Sequence, residues 1–218
     1  MNQPLSIEIY SDVVCPWCYV GKRRLERALS QLPAVPVQTI WRPFELNPTM
    51  PKEGMDRAAY LEAKFGSVDA FQHLEEHVVA AGVSAGIAFA FERIVRTPNT
   101  FLAHRLIWYA GQQGRQDEIV DALFSGYFEE GADIGSPSVL AELAASAGLK
   151  ATSFLAADEG AAEVKAEEAA GHRLGIRAVP YFVLNNSYGI SGAQPVDVLA
   201  AAITNIHARQ AEGLLSRK

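Results

Sequence analysis

Two cysteines, Cys15 and Cys18, stand three positions apart in "SDVVCPWCYVGKRRLERAL", with Pro16 and Trp17 between them, and the chain contains no others. Thiols at that spacing can form a metal clip, a structural staple or a reactive pair. A zinc site needs about four ligands. No further Cys can complete one, and the five His lie far off in sequence, so no metal is expected. A two-residue gap makes a poor staple, because closing so short a loop removes little unfolded-state entropy. Redox or thiol-transfer chemistry is the favoured use. A strand before the motif and a helix after it put Cys15 near the N-cap and Pro16 at the first helical position, where its missing N–H costs nothing. A thiolate at Cys15 would face unpaired backbone N–H groups and the positive end of the helix dipole, which favour the nucleophilic form. Cys18, about one turn on, would be more buried and close enough to resolve a mixed disulfide.

The flanking elements follow from residue patterning. "LSIEIY", residues 5–10, alternates and reads as a strand. From Pro16 a helix carries Cys18, Leu25, Leu29 and Leu32 on one side and ends before Pro33. "VPVQTIWRPFEL", residues 35–46, is a second strand running into Pro43, and Asn47, Pro48 and Pro51 mark a loop. From about residue 55 to 175 the signals are nearly all helical, with Gly114, Gly131, Gly148, Gly160 and Gly175 placed as helix C-caps. Within this run Ser67 reads as a cap, Phe71, Leu74, Val78 and Ala81 as an apolar face, and residues 87–94 as a short extended link. "RAVPYFVLNNSYGISG" then gives a strand, a turn at Asn185–Ser187 and another strand; a closing helix carries Leu199, Ala202, Ile203 and Ile206 as its stripe. The order is β-α-β, many helices, β-β-α. An α/β unit is thus split by a large all-helical insertion, expected to have a core of its own. The boundaries fall at 1–48, 49–175 and 176–218.

About half of the 218 residues are apolar and a fifth charged, which suits an ordinary folded core. A formal charge of −6 offers no basic surplus for a nucleic-acid partner. The local cluster Lys22, Arg23, Arg24 and Arg27 reads as a solvated helix face. The first ten residues do not form a signal peptide, and no stretch suggests a membrane span, so neither a membrane partner nor export is expected. The expected compartment is the cytoplasm, where a lone Cys pair is seldom a staple.

A second signal is "RAVPYFVL", in which Pro180 opens a late strand. Taken alone it fits an ordinary edge residue. Together with "IEIYSDVVCPWCYVGKRRLE", "WRPFELNP", "NTFLAHRL" and "AVPYFVLNNSYGISGAQP", however, the chain resembles the DsbA-like thioredoxin superfamily, in the FrnE-like branch related to 2-hydroxychromene-2-carboxylate isomerases and kappa-class glutathione transferases. The resemblance spans nearly the whole chain. It implies a thioredoxin-like fold interrupted by a helical domain, a nucleophile at Cys15, a resolving thiol at Cys18 and a cis bond between Val179 and Pro180. It also implies substrate contact at Trp17, Val179 and Pro180. The isomerase and transferase relatives usually have Ser at the first motif position; Cys15 and Cys18 here favour disulfide exchange instead. The periplasmic DsbA pattern has His where this chain has Trp17, so a less oxidising pair is expected.

The resulting expectation is a thiol–disulfide oxidoreductase or isomerase acting on protein or small-molecule disulfides and thiols. No cofactor is expected to be tightly bound; glutathione or another small thiol is the co-substrate the resemblance suggests, and a homodimer stays open. Two rivals remain: a small-thiol-dependent transferase or isomerase, and a non-catalytic binder or chaperone using Trp108, Tyr109, Phe124, Tyr127 and Phe128. Asn99 could touch a small thiol, although capping explains it. Other signals carry less. "HLEEH", with His73 and His77 one turn apart, matches a zinc-peptidase pattern but lies on a polar helix side. His104 reads as a satisfied, half-buried residue more readily than as a catalyst, and Glu8 as either a buried carboxylate or an exposed strand residue. The sequon at Asn185 is explained by turn chemistry.

Overall fold

The computed structural model describes residues 3–213, apart from the side chains of residues 68–70 and 73. The central sheet contains β1 (Leu5–Ser11), β2 (Val37–Pro43), β5 (Tyr181–Leu184) and β6 (Tyr188–Ser191), in the order β2-β1-β5-β6. β1 runs parallel to β2 and antiparallel to β5, with Tyr10 opposite Tyr181 and Ile7 opposite Leu184. β5 and β6 form a hairpin whose turn places Asn185 and Asn186 at φ 47° and 55° and closes with Ser187 N–H on the Leu184 carbonyl at 3.1 Å. Paired positive φ values are those of a type I′ turn, which Asn tolerates.

The alternation of β1 sends Leu5, Ile7 and Ile9 to one face, where α1 (Pro16–Ser30) and α9 (Val196–Ala211) cover them with Leu25, Ala28, Leu199, Ile203 and Ile206. Tyr10 on the other face meets α8 (Ala161–Arg173) at Gly171, where a Cβ would stand 2.5 Å from the Tyr10 ring. Phe44 packs on the His172 ring at 5.2 Å. α8 therefore forms the second layer of the sheet, although it follows the inserted helices in the chain.

Between β2 and α8 come α2 (Arg57–Phe65), α3 (Val68–Ala85), α4 (Phe101–Gln112), α5 (Gln116–Phe128), α6 (Pro137–Ser146) and the short α7 (Thr152–Leu155). A two-residue ladder joins β3 (Met55–Asp56) to β4 (Arg96–Thr97), and the segment read as a short extended link holds a single 3₁₀ turn at Phe91–Arg93. Asp56 caps α2, its carboxylate accepting from Ala59 N–H at 3.0 Å. Gly114, Gly148 and Gly175 each follow a helix end with positive φ, as their spacing suggests; Gly160 instead opens α8 as its N-cap, facing Trp108.

The inserted helices do not have a separate core. One continuous apolar cluster runs from Ile7, Ile9 and Val20 through Trp41 to Leu106, Val120, Phe124 and Leu140. Tyr19 of α1 stacks on Phe124 of α5 with centroids 5.0 Å apart. Phe124, Tyr127 and Phe128 are buried, and the half-buried Trp108 and Tyr109 pack against Phe154, so the aromatic set packs mainly into the core. On α3, Val78 is buried but Leu74 is 52% exposed, which breaks the expected apolar face. Among the described residues no helix is long and apolar enough to cross a membrane.

Of the basic cluster of α1, only Arg27 is an exposed residue as expected. Lys22 is only 2% exposed, held by Glu26, by Asp117 at 3.2 Å and by Asp121 at 3.4 Å. Arg23 pairs with Asp121 at 2.9 Å, Arg24 donates to the Ala193 carbonyl and Arg27 to the Ser84 carbonyl. These bonds fasten the motif helix to α5, to the loop before α9 and to α3. A buried ammonium persists only when paired; here Glu26 lies one turn along the same helix, while Asp117 and Asp121 come from 95 residues downstream and beyond.

The free edge of β2 is also closed by α5. The Gln116 side chain accepts from Trp41 N–H at 2.8 Å and donates to the Trp41 carbonyl at 3.1 Å, so one amide does what a neighbouring strand would do. Gln116→Ala should leave both groups unpaired at a buried residue and cost about 1–3 kcal/mol. Urea denaturation should show a lower midpoint with an unchanged slope; an unchanged midpoint would mean the edge needs no such partner.

Candidate active site

The motif occupies the turn between β1 and α1. Cys15 is the N-cap residue, with φ −94° and ψ 111°, and Pro16 takes the first helical position. The turn is closed by Cys15 N–H on the Asp12 carbonyl at 3.0 Å, and the Cys15 carbonyl accepts from Cys18 N–H at 3.0 Å to start the helix. The Cys15 side chain thus lies at the helix end where backbone N–H groups are unpaired. Both thiols are free. Cys15 is 6% exposed and Cys18 1%, so the expected order of access holds although neither stands out from the surface. Burial pushes the Cys18 thiol well up, and its contact with Cys15 adds to the shift, while Ser11 and the Asp12 backbone act the other way.

Pro180 lies across from the pair. The Val179–Pro180 bond is cis, and the Cys15 thiol donates to the Val179 carbonyl at 3.7 Å. α1 packs closely here because position 21 has no side chain: a Cβ on Gly21 would be 3.0 Å from Pro180 Cγ and 3.3 Å from the Phe182 ring. Cys15, Cys18, Val179 and Pro180 therefore form one cluster. Trp17, 37% exposed, helps wall a cavity of about 610 Å³. The remaining walls include Val14, Leu46, Tyr60 and Phe71, with Arg57 and Lys64 among them. Its lining is largely apolar, so the inserted helices α2 and α3 build a space directly beside the motif.

Asn99 is spent elsewhere. Its Oδ1 accepts from Phe101 N–H at 3.0 Å and its Nδ2 donates to the Met50 carbonyl at 2.8 Å, tying a loop to the start of α4. Glu8 faces α8 and pairs with Arg42 at 2.5 Å, which also holds Glu167 at 2.9 Å. His77 is exposed, and His73 lies outside the described side chains. Among the described residues no cluster of three or more His, Cys, Asp or Glu is arranged to hold a metal.

Beneath the motif is a polar group that the sequence did not mark. Asp12 is fully buried; its Oδ2 accepts from Leu46 N–H at 2.8 Å and its Oδ1 lies 3.4 Å from His104 Nε2. His104 is buried more deeply than expected. Nearby, Glu45 is pushed up to about 7 by burial and then by the charge of Glu168, whose carboxylate also accepts from Glu45 N–H at 2.8 Å. The available signal was Asp12 itself, a carboxylate in an otherwise apolar strand-to-helix turn.

The fold and cluster agree with known proteins. The model of the DSBA-like thioredoxin domain family matches residues 6–204. The uncharacterized protein YwbO of Bacillus subtilis is 30% identical over 203 residues, covering 91% of this chain and 96% of that one. The crystal structure of a probable DsbA oxidoreductase from Streptomyces coelicolor superposes with a TM-score of 0.85 at 36% identity, over 98% of this chain and 92% of its own. At 18% identity and a TM-score of 0.67, the cytosolic disulfide reductase DsbM from Pseudomonas aeruginosa, solved with GSH, shares the fold over 92% of this chain and 98% of its own. With its paired thiols at a helix start and a cis-proline opposite them, the chain belongs to the DSBA-like thioredoxin domain family, whose members are thiol–disulfide oxidoreductases.

Proposed function

We propose that this chain is a thiol–disulfide oxidoreductase that works through Cys15 and Cys18 on protein or small-molecule disulfides. The observation that carries the reading is the Cys15 thiol, held at the α1 N-terminus and aimed at the Val179 carbonyl with Cys18 in contact behind it. The Cys15 thiolate attacks one sulfur of a substrate disulfide. One substrate thiolate leaves and takes up a proton, and a mixed disulfide forms. Cys18 then loses its proton and attacks the Cys15 sulfur; the second substrate thiolate leaves and a Cys15–Cys18 disulfide remains. The substrate gains two electrons and the protein loses two. Two molecules of glutathione or another small thiol reset the pair and are released as their own disulfide. Run backwards, the same steps oxidise a dithiol. A cytoplasmic location is part of the proposal, because a cycling pair needs a compartment that can reduce it.

Trp17 and the apolar cavity beside it supply the second part of the reading. They favour substrates that bring an apolar side chain next to the reacting sulfur. The Val179 carbonyl, once Cys15 is engaged in a mixed disulfide, is free to accept a backbone N–H from an extended substrate.

Two outcomes follow. Cys18→Ser should accumulate a covalent adduct on Cys15 with glutathione disulfide or a small disulfide protein, and Cys15→Ser should accumulate almost none, as read by intact mass. If Cys18→Ser turned over as well as the parent, a small-thiol transferase would be the better description. Trp17→Ala should lower kcat/KM for a protein disulfide about tenfold, equivalent to about 1.4 kcal/mol, while changing that for a small disulfide by less than about twofold. Equal losses for both substrates would remove Trp17 from substrate binding.

A further inference from the structure

Cys18 has to lose a proton where bulk water does not reach. When its sulfur attacks the mixed disulfide on Cys15, an S–S bond forms between the two residues, the substrate thiolate leaves from Cys15, and the proton of the Cys18 thiol must pass to a group inside the protein. Cys15 is then occupied by substrate and cannot take it. Besides that of Cys15, the side chain that meets the Cys18 thiol is Ser11, the last residue of β1.

Ser11 is 5% exposed, and its hydroxyl oxygen has no well-formed hydrogen bond among the described residues. The same holds for His104 Nε2 and Asp12 Oδ1, which face each other at 3.4 Å with poor alignment. Three unsatisfied buried polar atoms so close together require a partner. Ser11 and His104 also line one small space, walled by Trp41, Pro43, Ile107 and Glu167, with a volume of about 10 Å³. That is the room of about one water, and the polar atoms around it supply the contacts that a buried water needs.

We infer that this space binds one water joining Ser11 to His104, and that the Asp12–His104 pair accepts the Cys18 proton through them in the resolving step. The inference rests on the thiol–disulfide reading above. In the step itself the Cys18 proton moves to Ser11 as the Ser11 proton moves to the water and a water proton to the neutral imidazole of His104. The imidazolium that results is held by the Asp12 carboxylate, which is itself fixed by Leu46 N–H. The charge gained by His104 balances the charge carried off by the departing thiolate.

The charged and titratable groups acting on His104 come from three sides: Asp12 from the β1–α1 turn, Glu45 from the segment after β2, and Glu168 from α8. Arg42 and Glu167 complete the wall of the small space and pair with each other. Burial pushes the His104 ring down, but these carboxylates, Asp12 first, outweigh it and leave it raised above the ordinary histidine value. Only neutral His104 can accept a proton, so resolution should quicken as pH rises through its titration. Removing the Glu45 charge should move that titration to lower pH.

Reaction with one equivalent of an aromatic disulfide such as dithiobis(nitrobenzoate) separates the two steps. A first coloured thiolate appears when Cys15 is modified and a second when Cys18 resolves the adduct. Glu45→Gln should leave the first phase unchanged and shift the half-maximal pH of the second phase downward, making that phase faster above about pH 7, where Glu45 carries its charge, and leaving it nearly unchanged near about pH 6, where Glu45 is already neutral. His104→Gln, which keeps a hydrogen-bonding side chain, should slow the second phase on the order of 100-fold and abolish its inflection. An unchanged pH profile of the second phase in Glu45→Gln, where folding is not in question, would overturn the inference. Equal displacement of both phases would overturn it as well, since that would mark a general field effect. Absence of the first phase in the parent protein would instead defeat the thiol–disulfide reading, and this inference with it.

Discussion

The antiparallel register of β1 and β5 is the constraint on which the site depends. Tyr10 is paired with Tyr181, so one step beyond the ladder sets Ser11 opposite Pro180, and the next brings Val179 to the turn that carries Cys15. β1 delivers its chain into the motif just where β5 leaves the cis-proline. A one-residue slip would turn every side chain of the strand to the other face, setting Ile7 and Ile9 on the side where Arg42 and Glu167 lie and Glu8 in the apolar core. The apolar alternation of β1 therefore fixes both the core and the position of the carbonyl that receives the Cys15 thiol.

The insertion is bound to this frame by polar contacts as much as by apolar ones. Lys22 sits one helical turn after Cys18, with its ammonium among Glu26, Asp117 and Asp121, and Gln116 completes the edge of β2. α5 thereby touches both the motif helix and the sheet. This explains why the insertion needs no core of its own: the helices that wall the cavity beside Trp17 are extensions of the sheet's own packing, not a second body laid over it.

What the sequence made legible was local. The Cys-Pro-Trp-Cys spacing, the alternation of β1, the Asn-Asn turn and the glycines at positions 114, 148 and 175 each carry their instruction within a few residues, and the structure has all of them. The cis bond before Pro180 was legible only through the family resemblance. What was not legible depends on distant partners. Lys22 reads as a surface lysine until Asp117 and Asp121 are brought to it. His104 reads as an isolated helix residue until the fold sets it against Asp12, 92 positions earlier by number. Gly160 looks like the end of one helix and is the start of the next, because α7 stops at Leu155. Glu45 gives no sign of its environment, since both burial and Glu168 come from tertiary contacts.

The chain order bears on how the molecule is made. The Val179 carbonyl that receives the Cys15 thiol lies 164 residues downstream of it. During translation the two thiols leave the ribosome with β1 and α1, long before β5 exists to wall them. For most of synthesis the Cys15 thiol is then on an unfinished protein, open to oxidation or to exchange with other thiols. Completion of β5 and β6 shelters the pair and removes the second open edge of β1 in the same event. The last fifth of the polypeptide therefore supplies the surface that encloses the thiol pair, and the site closes only when the chain is nearly finished.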